Sequence, residues 1–190
     1  MVSYLNDVTP RALLQELSDT ALIRRFLDGD EASFRTLYVR HTPRLRMIIW
    51  RLLGQLRDEA DDVVQETWLA SCRGMHRFNG GAQFGSWLTT IGIRAAYRRS
   101  LEKAPNEEEL GEIATEAAGD GPLTTIDLER ALARLSSHQR AIVVLHDVEG
   151  FTHEEIARQL GVAVGTSKGT LSRARAALRR MLNDGVSYVR

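Results

Sequence analysis

The chain has 190 residues, 25 basic against 25 acidic side chains and a formal net charge of zero. No run approaches the roughly 18 apolar residues of a membrane span, and the first residues lack the apolar core of a secretory signal. The single cysteine, Cys72, excludes an internal disulfide and fits a reducing compartment, so the expected location is the cytoplasm.

Low aromatic content, 6%, with abundant Leu, Ala, Ile and Val, favours helices over strands. The neutral total conceals a partition. Residues 1–104 carry 15 basic and 12 acidic side chains, residues 105–129 eight acidic and no basic ones, and residues 130–190 ten basic and five acidic ones. Two basic blocks flank an acidic connector, so whole-chain charge does not speak against nucleic-acid binding.

Residues 1–17 form a leader with Leu13, Leu14 and Leu17 at helical spacing. Ser18 or Asp19 can cap a helix that runs to about Leu27 and ends at Gly29. Asp30 caps a second helix carrying Phe34, Leu37 and Tyr38 at core spacing. Pro43 suits the first turn of a third helix, which runs through Leu53. The pattern predicts a fourth helix from about Asp58 to Arg73, stopped by Gly74. After the loop Phe78-Asn79-Gly80-Gly81 comes a fifth, from about Phe84 to Leu101. The stretch Pro105-Asn106-Glu107-Glu108-Glu109 through Gly119-Asp120-Gly121-Pro122 reads as a flexible linker over 104–126, with a short helix possible near 107–116. Beyond it, helices are expected at about 126–135, 137–147, 152–160 and 164–182. No strand pattern competes. The fold class is all-α: two small helical domains, 18–103 and 127–185, joined by the acidic linker.

Three tracts carry chemistry. On the fourth helix, a wheel started at Asp58 and advanced about 100° per residue puts Ala60, Val63, Val64, Thr67 and Ala70 on the core face. Asp58, Asp62, Gln65 and Glu66 lie opposite, and Leu69 falls at about 20°, inside the acidic face. The sequence allows a solvated face with one tolerated leucine, or a docking surface in which an apolar anchor is ringed by carboxylates. The second tract, Phe78-Asn79-Gly80-Gly81 to Phe84 and Trp87, pairs aromatics with a Gly-rich loop and leads into Arg94, Arg98 and Arg99. Such a tract suits an unpaired nucleic-acid strand, though Phe78, Phe84 and Trp87 also suit a core.

The third tract is Glu154-Glu155-Ile156-Ala157-Arg158-Gln159-Leu160-Gly161-Val162, followed by Gly165 to Arg175. It reads as a helix-turn-helix, with Gly161 supplying the left-handed turn residue. The second helix carries Lys168, Arg173, Arg175, Arg179 and Arg180 and no acidic residue before Leu182. With Leu171 at zero on the wheel, Val164, Ser167, Ala174, Leu178, Met181 and Leu182 form its packed face. Arg173 and Arg180 point away, with Thr166, Gly169 and Thr170 nearby. Such a helix is suited to the DNA major groove.

Nothing points to catalysis or to a metal or other cofactor. His41, His76, His138, His146 and His153 lack zinc-ligand spacing, Cys72 and His76 straddle the helix-ending Gly74, and no phosphate-binding Gly-Lys-Ser/Thr loop or nucleophile elbow is present.

The two blocks together resemble bacterial sigma factors of the extracytoplasmic-function (ECF) group, over roughly residues 18–103 and 127–183. The telling tracts are Asp61-Asp62-Val63-Val64-Gln65-Glu66-Thr67-Trp68 continuing to Arg77-Phe78 and Phe84-Gly85-Ser86-Trp87-Leu88, then Leu135-Ser136-Ser137-His138-Gln139-Arg140, Glu149 through Ala157, Gly165-Thr166 and Ser172-Arg173-Ala174-Arg175. The resemblance implies a first domain whose acidic helix (Asp58, Asp62, Gln65, Glu66, Leu69) docks on the clamp of the RNA polymerase largest subunit. Its loop and last helix (Phe78, Asn79, Trp87, Arg94, Arg98) would melt the −10 element and hold a flipped base. The second domain would read the −35 element with Thr166, Lys168, Thr170, Ser172, Arg173 and Arg175 and touch the polymerase flap. An anti-sigma factor is the implied regulator, and membrane insertion is not expected.

The chain departs from the family pattern at Arg94, where asparagine is usual, at Thr170, where arginine is usual, and at Ser167, where an apolar residue is usual. Two other readings of the residues stay open: a stand-alone helix-turn-helix regulator and a sigma mimic that sequesters an anti-sigma factor.

Overall fold

A computed structural model of the protein describes residues 14–103 and 125–183. Most of the leader, and the linker with its possible helix, lie outside the described residues. The elements in order are α1 (Asp19–Leu27), α2 (Glu31–Leu53), a 3-10 turn (Gly54–Glu59), α3 (Ala60–Gly74), a second 3-10 turn (Met75–Arg77) and α4 (Phe84–Glu102). The second block holds α5 (Thr125–Arg134), α6 (Ser137–Val143), a π turn (Val144–Val148), α7 (His153–Leu160) and α8 (Val164–Asn183). No strand occurs among the described residues.

Caps set the helix starts. Ser18 Oγ accepts from the Ala21 amide and Asp30 Oδ1 from the Ala32 amide, each satisfying a donor of the first turn. Ser136 with Gln139 and Thr152 with Glu155 form reciprocal capping boxes at α6 and α7.

The sequence pattern predicts two helices on either side of Pro43, but α2 is continuous from Glu31 to Leu53 with Pro43 inside it. Leu37, Leu45, Ile48, Ile49, Leu52 and Leu53 form one buried stripe across the proline. Each such residue contributes about 1.5–3 kcal/mol on burial, and the stripe outweighs the roughly 3 kcal/mol cost of an interior proline. Pro43 itself is exposed, on the solvent side of the helix.

The α2 helix is the spine of the first block, with α1, α3 and α4 packed around it. In α3 the wheel needs a correction. Ala70 is exposed, whereas Trp68 is buried beside Val63, Val64, Thr67 and Ser71. Trp68 donates its indole N–H to Thr42 Oγ1 at 3.0 Å and packs edge-on to Phe34, so the core arc is rotated toward α2. Asp58 belongs to the 3-10 turn rather than to α3.

The second block packs directly on the first. The Arg140 guanidinium, 5% exposed, crosses the boundary. It donates through Nε to the Leu52 carbonyl (2.9 Å) and through Nη2 to the Leu53 carbonyl (3.3 Å), and its Nη1 reaches the Leu135 carbonyl (2.9 Å) of its own block. The last carbonyls of α2, which have no partner within the helix, are thus capped by a side chain from the other domain. Burial pulls the Arg140 pKa down to about 10, with the nearby Arg57 charge adding to the effect. Gly54 makes this possible. Its backbone sits at φ +59°, ψ −108°, and a Cβ there would overlap the Arg140 guanidinium.

Gly54→Ala combines a strained backbone with that overlap. We expect a loss of about 1–3 kcal/mol, read as a lower urea midpoint in equilibrium unfolding of the full chain.

Candidate nucleic-acid interface

The helix-turn-helix forms as the sequence predicts. Gly161 ends α7 in the left-handed conformation at φ +71°, and its amide returns to the Ala157 carbonyl at 2.9 Å. Against this frame α8 buries Ser167, Thr170, Leu171, Ala174 and Leu178 and exposes Thr166, Lys168, Ser172, Arg173, Arg175, Arg179 and Arg180. Thr170 is a correction. It is 3% exposed and lies on the packed side, where its Oγ1 accepts from Arg173 Nη2 at 3.1 Å. Its place is to hold an arginine at the surface.

Ser167, polar where the resemblance leads one to expect an apolar residue, is 0% exposed, and its hydroxyl meets His153 Nδ1 at 2.9 Å. A polar pair therefore fastens the start of α8 to the start of α7. The His153 ring lies 4.6 Å from that of His146. Burial, then the charges of His146 and Lys168, push the His153 pKa below its ordinary value. His146 is bonded in turn to Asp147, whose two oxygens hold Arg175 at Nε (2.9 Å) and Nη2 (2.5 Å). The Arg175 hydrogen bond is the first cause of the lowered Asp147 pKa. No spacing in the sequence announces this chain of contacts, because it joins three separate elements.

In the first block, Asp62 and Gln65 are exposed on the outer face of α3, and Leu69 among them is 52% exposed. Glu66 is not wholly presented to solvent: its carboxylate pairs with Arg99, and Arg98 Nη2 lies 3.8 Å away. Arg99 also donates to Glu59 at 2.6 Å. These pairs brace α4 against α3 and its preceding turn.

Phe78 packs edge-on to Phe84, with ring centroids 5.6 Å apart, and lies 5.5 Å from Trp87, so the three aromatics form one cluster in which only Phe84 is fully buried. The exposed Asn79 accepts the Gly81 amide at 3.0 Å and shapes the loop. Beside that loop is a cavity of about 580 Å³, lined among others by Asp19, His41, Arg44, Gly81, Gln83 and Ser86. Asp19 ties His41 (2.9 Å) and Arg40 (2.5 Å) to its wall. Its lining is drawn from α1, α2, the Gly-rich loop and α4, so no single stretch of sequence announces it. Arg94 is exposed yet engaged: its Nε donates to Gln159 Oε1 of α7 at 3.2 Å.

Among the described residues no cluster of three or more His, Cys, Asp or Glu side chains could hold a metal ion, and no helix is long and apolar enough to cross a membrane.

Comparison with known proteins decides the family. The Sigma-70 region 2 profile matches residues 37–104, and the Sigma-70 region 4 profile matches residues 125–178. The ECF RNA polymerase sigma factor SigM of Mycobacterium tuberculosis is 37% identical over 180 residues, covering 92% of this chain and 91% of that protein. The chain belongs to the ECF family of RNA polymerase sigma factors. Among solved structures, the sigma factor RpoE of Bartonella quintana in complex with the anti-sigma factor NepR superposes with a TM-score of 0.59. It is 29% identical and covers 79% of this chain and 96% of that one. CnrH in complex with the cytosolic domain of CnrY gives a TM-score of 0.58 at 26% identity, covering 87% and 97%. The sigma factor described here thus carries both regions in the family's order, with the acidic segment between them.

The His153 environment has a pH consequence. Because its folded pKa lies below that of the unfolded chain, near 6.5, the unfolded state takes up the proton first. The associated stability is present above about pH 6.5 and is lost as pH falls toward the depressed folded value. Urea midpoints measured from about pH 7 to 5 should fall, and His153→Gln should flatten that dependence by up to about one proton.

Proposed function

We propose that this sigma factor docks on the core RNA polymerase clamp through Asp58, Asp62, Gln65, Glu66 and Leu69. It opens and reads the −10 element with Phe78, Asn79, Trp87, Arg94 and Arg98, and reads the −35 element with Thr166, Lys168, Ser172, Arg173 and Arg175, with Thr170 acting through Arg173. Supporting this is the presence, on one chain, of two complementary surfaces: an exposed acidic face centred on a half-exposed leucine, and an exposed arginine face on a helix presented by a tight turn. A basic partner helix would cover Leu69 and meet the carboxylates around it. Arg173 and Lys168 would meet base edges and phosphates of a duplex.

The cavity beside the Gly-rich loop suits an unstacked base. It is lined by backbone and by the polar side chains of His41, Gln83 and Ser86, with Arg44 at its wall for a phosphate. Arg94, placed where the family usually has asparagine, would add phosphate affinity at the upstream edge of the melted strand.

The protein acts as a regulatory subunit without catalytic chemistry of its own, in the cytoplasm with its polymerase. An anti-sigma factor holds it inactive, as the partners of the two structural neighbours suggest.

Asp62→Arg combined with Leu69→Ala should abolish co-elution with core RNA polymerase while leaving the far-ultraviolet spectrum and urea midpoint near wild type, since both side chains face solvent. Unfolding of the variant, or undiminished co-elution, would remove the docking assignment. Arg173→Ala should weaken holoenzyme binding at a cognate −35 element by about 1–3 kcal/mol relative to a scrambled one. An equal loss on both would make Arg173 a phosphate contact.

A further inference from the structure

One flank of α8 is shared with the π turn. Lys168 and Arg175 stand two turns apart on the helix, both exposed, and Asp147 reaches Arg175 from the turn. Asp147 accepts from Arg175 at Nε (2.9 Å) and Nη2 (2.5 Å), and meets His146 Nδ1 at 2.8 Å. The Arg175 hydrogen bond holds the Asp147 carboxyl below the usual carboxylate range, so this group is ionised and can only accept. His146 therefore donates through Nδ1–H, which leaves Nε2 as the nitrogen that gains or loses a proton.

Two features set this trio apart from a structural brace. It is open: the side chains of His146, Asp147 and Arg175 keep 30%, 28% and 44% of their surface exposed. Its neighbour His153, by contrast, engages the buried Ser167 through Nδ1. Its charge is also balanced at a place where a helix suited to nucleic acid presents an arginine. With His146 neutral, Asp147 cancels Arg175; with His146 protonated, one positive charge is left over. The surrounding charges come from every element against the turn. From α7 come His153, 4.6 Å away between ring centroids with its own pKa held down by burial, and Glu154. From α8 come Lys168 and Arg175. Arg44 of α2 is paired with Glu149 at 3.2 Å, and Arg140 of α6 is engaged on the α2 carbonyls.

We propose that His146, Asp147 and Arg175 form a proton-linked site for a backbone phosphate of duplex DNA, on the flank of α8 that carries Lys168. The proposal rests on the assignment of α8 to the −35 duplex. Asp147 occupies the Nε edge of Arg175 and fixes the guanidinium plane, so Nη1 and the outer hydrogen of Nη2 are directed at two phosphate oxygens. The Asp147 carboxylate repels an arriving phosphate until His146 takes a proton from solvent at Nε2, where it becomes a third donor. Duplex binding and proton binding then favour each other. Affinity rises as pH falls through the histidine range.

The test uses holoenzyme assembled from core RNA polymerase and the full chain, with a fluorescent duplex carrying the −35 sequence that this holoenzyme selects from a random pool. Fluorescence anisotropy gives the affinity at about pH 8 and about pH 6 over a salt series. From the higher pH to the lower, wild type should gain about three- to tenfold in affinity relative to His146→Gln. The salt slope of wild type should steepen by about one over the same interval, and that of His146→Gln should not change. His146→Arg, which keeps its charge, should bind more tightly than His146→Gln at both pH values. A histidine with a purely structural role would instead shift affinity by a factor that pH does not alter, with no change in slope. That result, or His146→Arg binding no better than His146→Gln at the higher pH, would overturn the proposal. Failure of the α8 assignment shows differently, as a holoenzyme that selects no −35 sequence, and takes the proposal with it.

Discussion

The arrangement of the whole molecule depends on how the end of one helix is satisfied. The C-terminal carbonyls of α2 have no partner within the helix, and they point into a seam that solvent does not reach. Arg140 supplies the donors, reaching Leu52 and Leu53 from one side while holding Leu135 on the other. A guanidinium suits this place because its planar fork serves several acceptors at once and it stays charged even with its pKa pulled down to about 10. An apolar residue there would leave buried carbonyls unpaired, and a lysine would present a single point of charge. Gly54 is the complement: only a residue without a side chain can make the turn at φ +59° and leave room for the fork.

Around that seam, charge is distributed by use. Carboxylates needed for internal bracing are paired: Glu59 with Arg99 and Lys103, Asp61 with Arg46, Glu129 with Arg51 and Arg57. Asp62, on the outer face of α3, stays exposed, as do Arg173, Arg179 and Arg180 on α8. Arg175 is the intermediate case, exposed but oriented by Asp147. A pair of this kind contributes little to stability at a surface. Its effect is to narrow the rotamers of an arginine on the face proposed to meet DNA.

The second block gains rigidity at the helix-turn-helix from polar contacts as well as from its leucine core. The Thr152–Glu155 capping box fixes where α7 starts, Gly161 fixes where it ends, and the His153–Ser167 bond fixes how α8 leaves the turn. The unusual serine at 167 is intelligible once its histidine partner is seen, because a buried hydroxyl needs one. Thr170 follows the same logic: its buried hydroxyl accepts from Arg173 and steadies it.

Much of this was legible in the residues because local signals and helical period agree. Ser18, Asp30, Ser136 and Thr152 cap helices, Gly161 ends one, and Leu69 stands among carboxylates, all within a few residues of chain. Those signals gave the all-α class, nearly every helix and the basic face of α8. They failed where a longer-range force prevailed. Pro43 sits inside a helix because a buried stripe spans it, Trp68 is buried because Thr42 and Phe34 receive it, and Thr170 is inside because α8 is rolled further onto its neighbours than a wheel centred on Leu171 allows. The cavity beside Gly81, the grip of Asp147 on Arg175 and the bridge from Gln159 to Arg94 join residues 28 to 65 positions or more apart in sequence. Short-range pattern determines which helix a residue joins and roughly which face it takes. Which faces meet is decided only when buried apolar area and unpaired polar groups are satisfied together, and here that brought Arg140 onto the end of α2 and Gln159 onto Arg94.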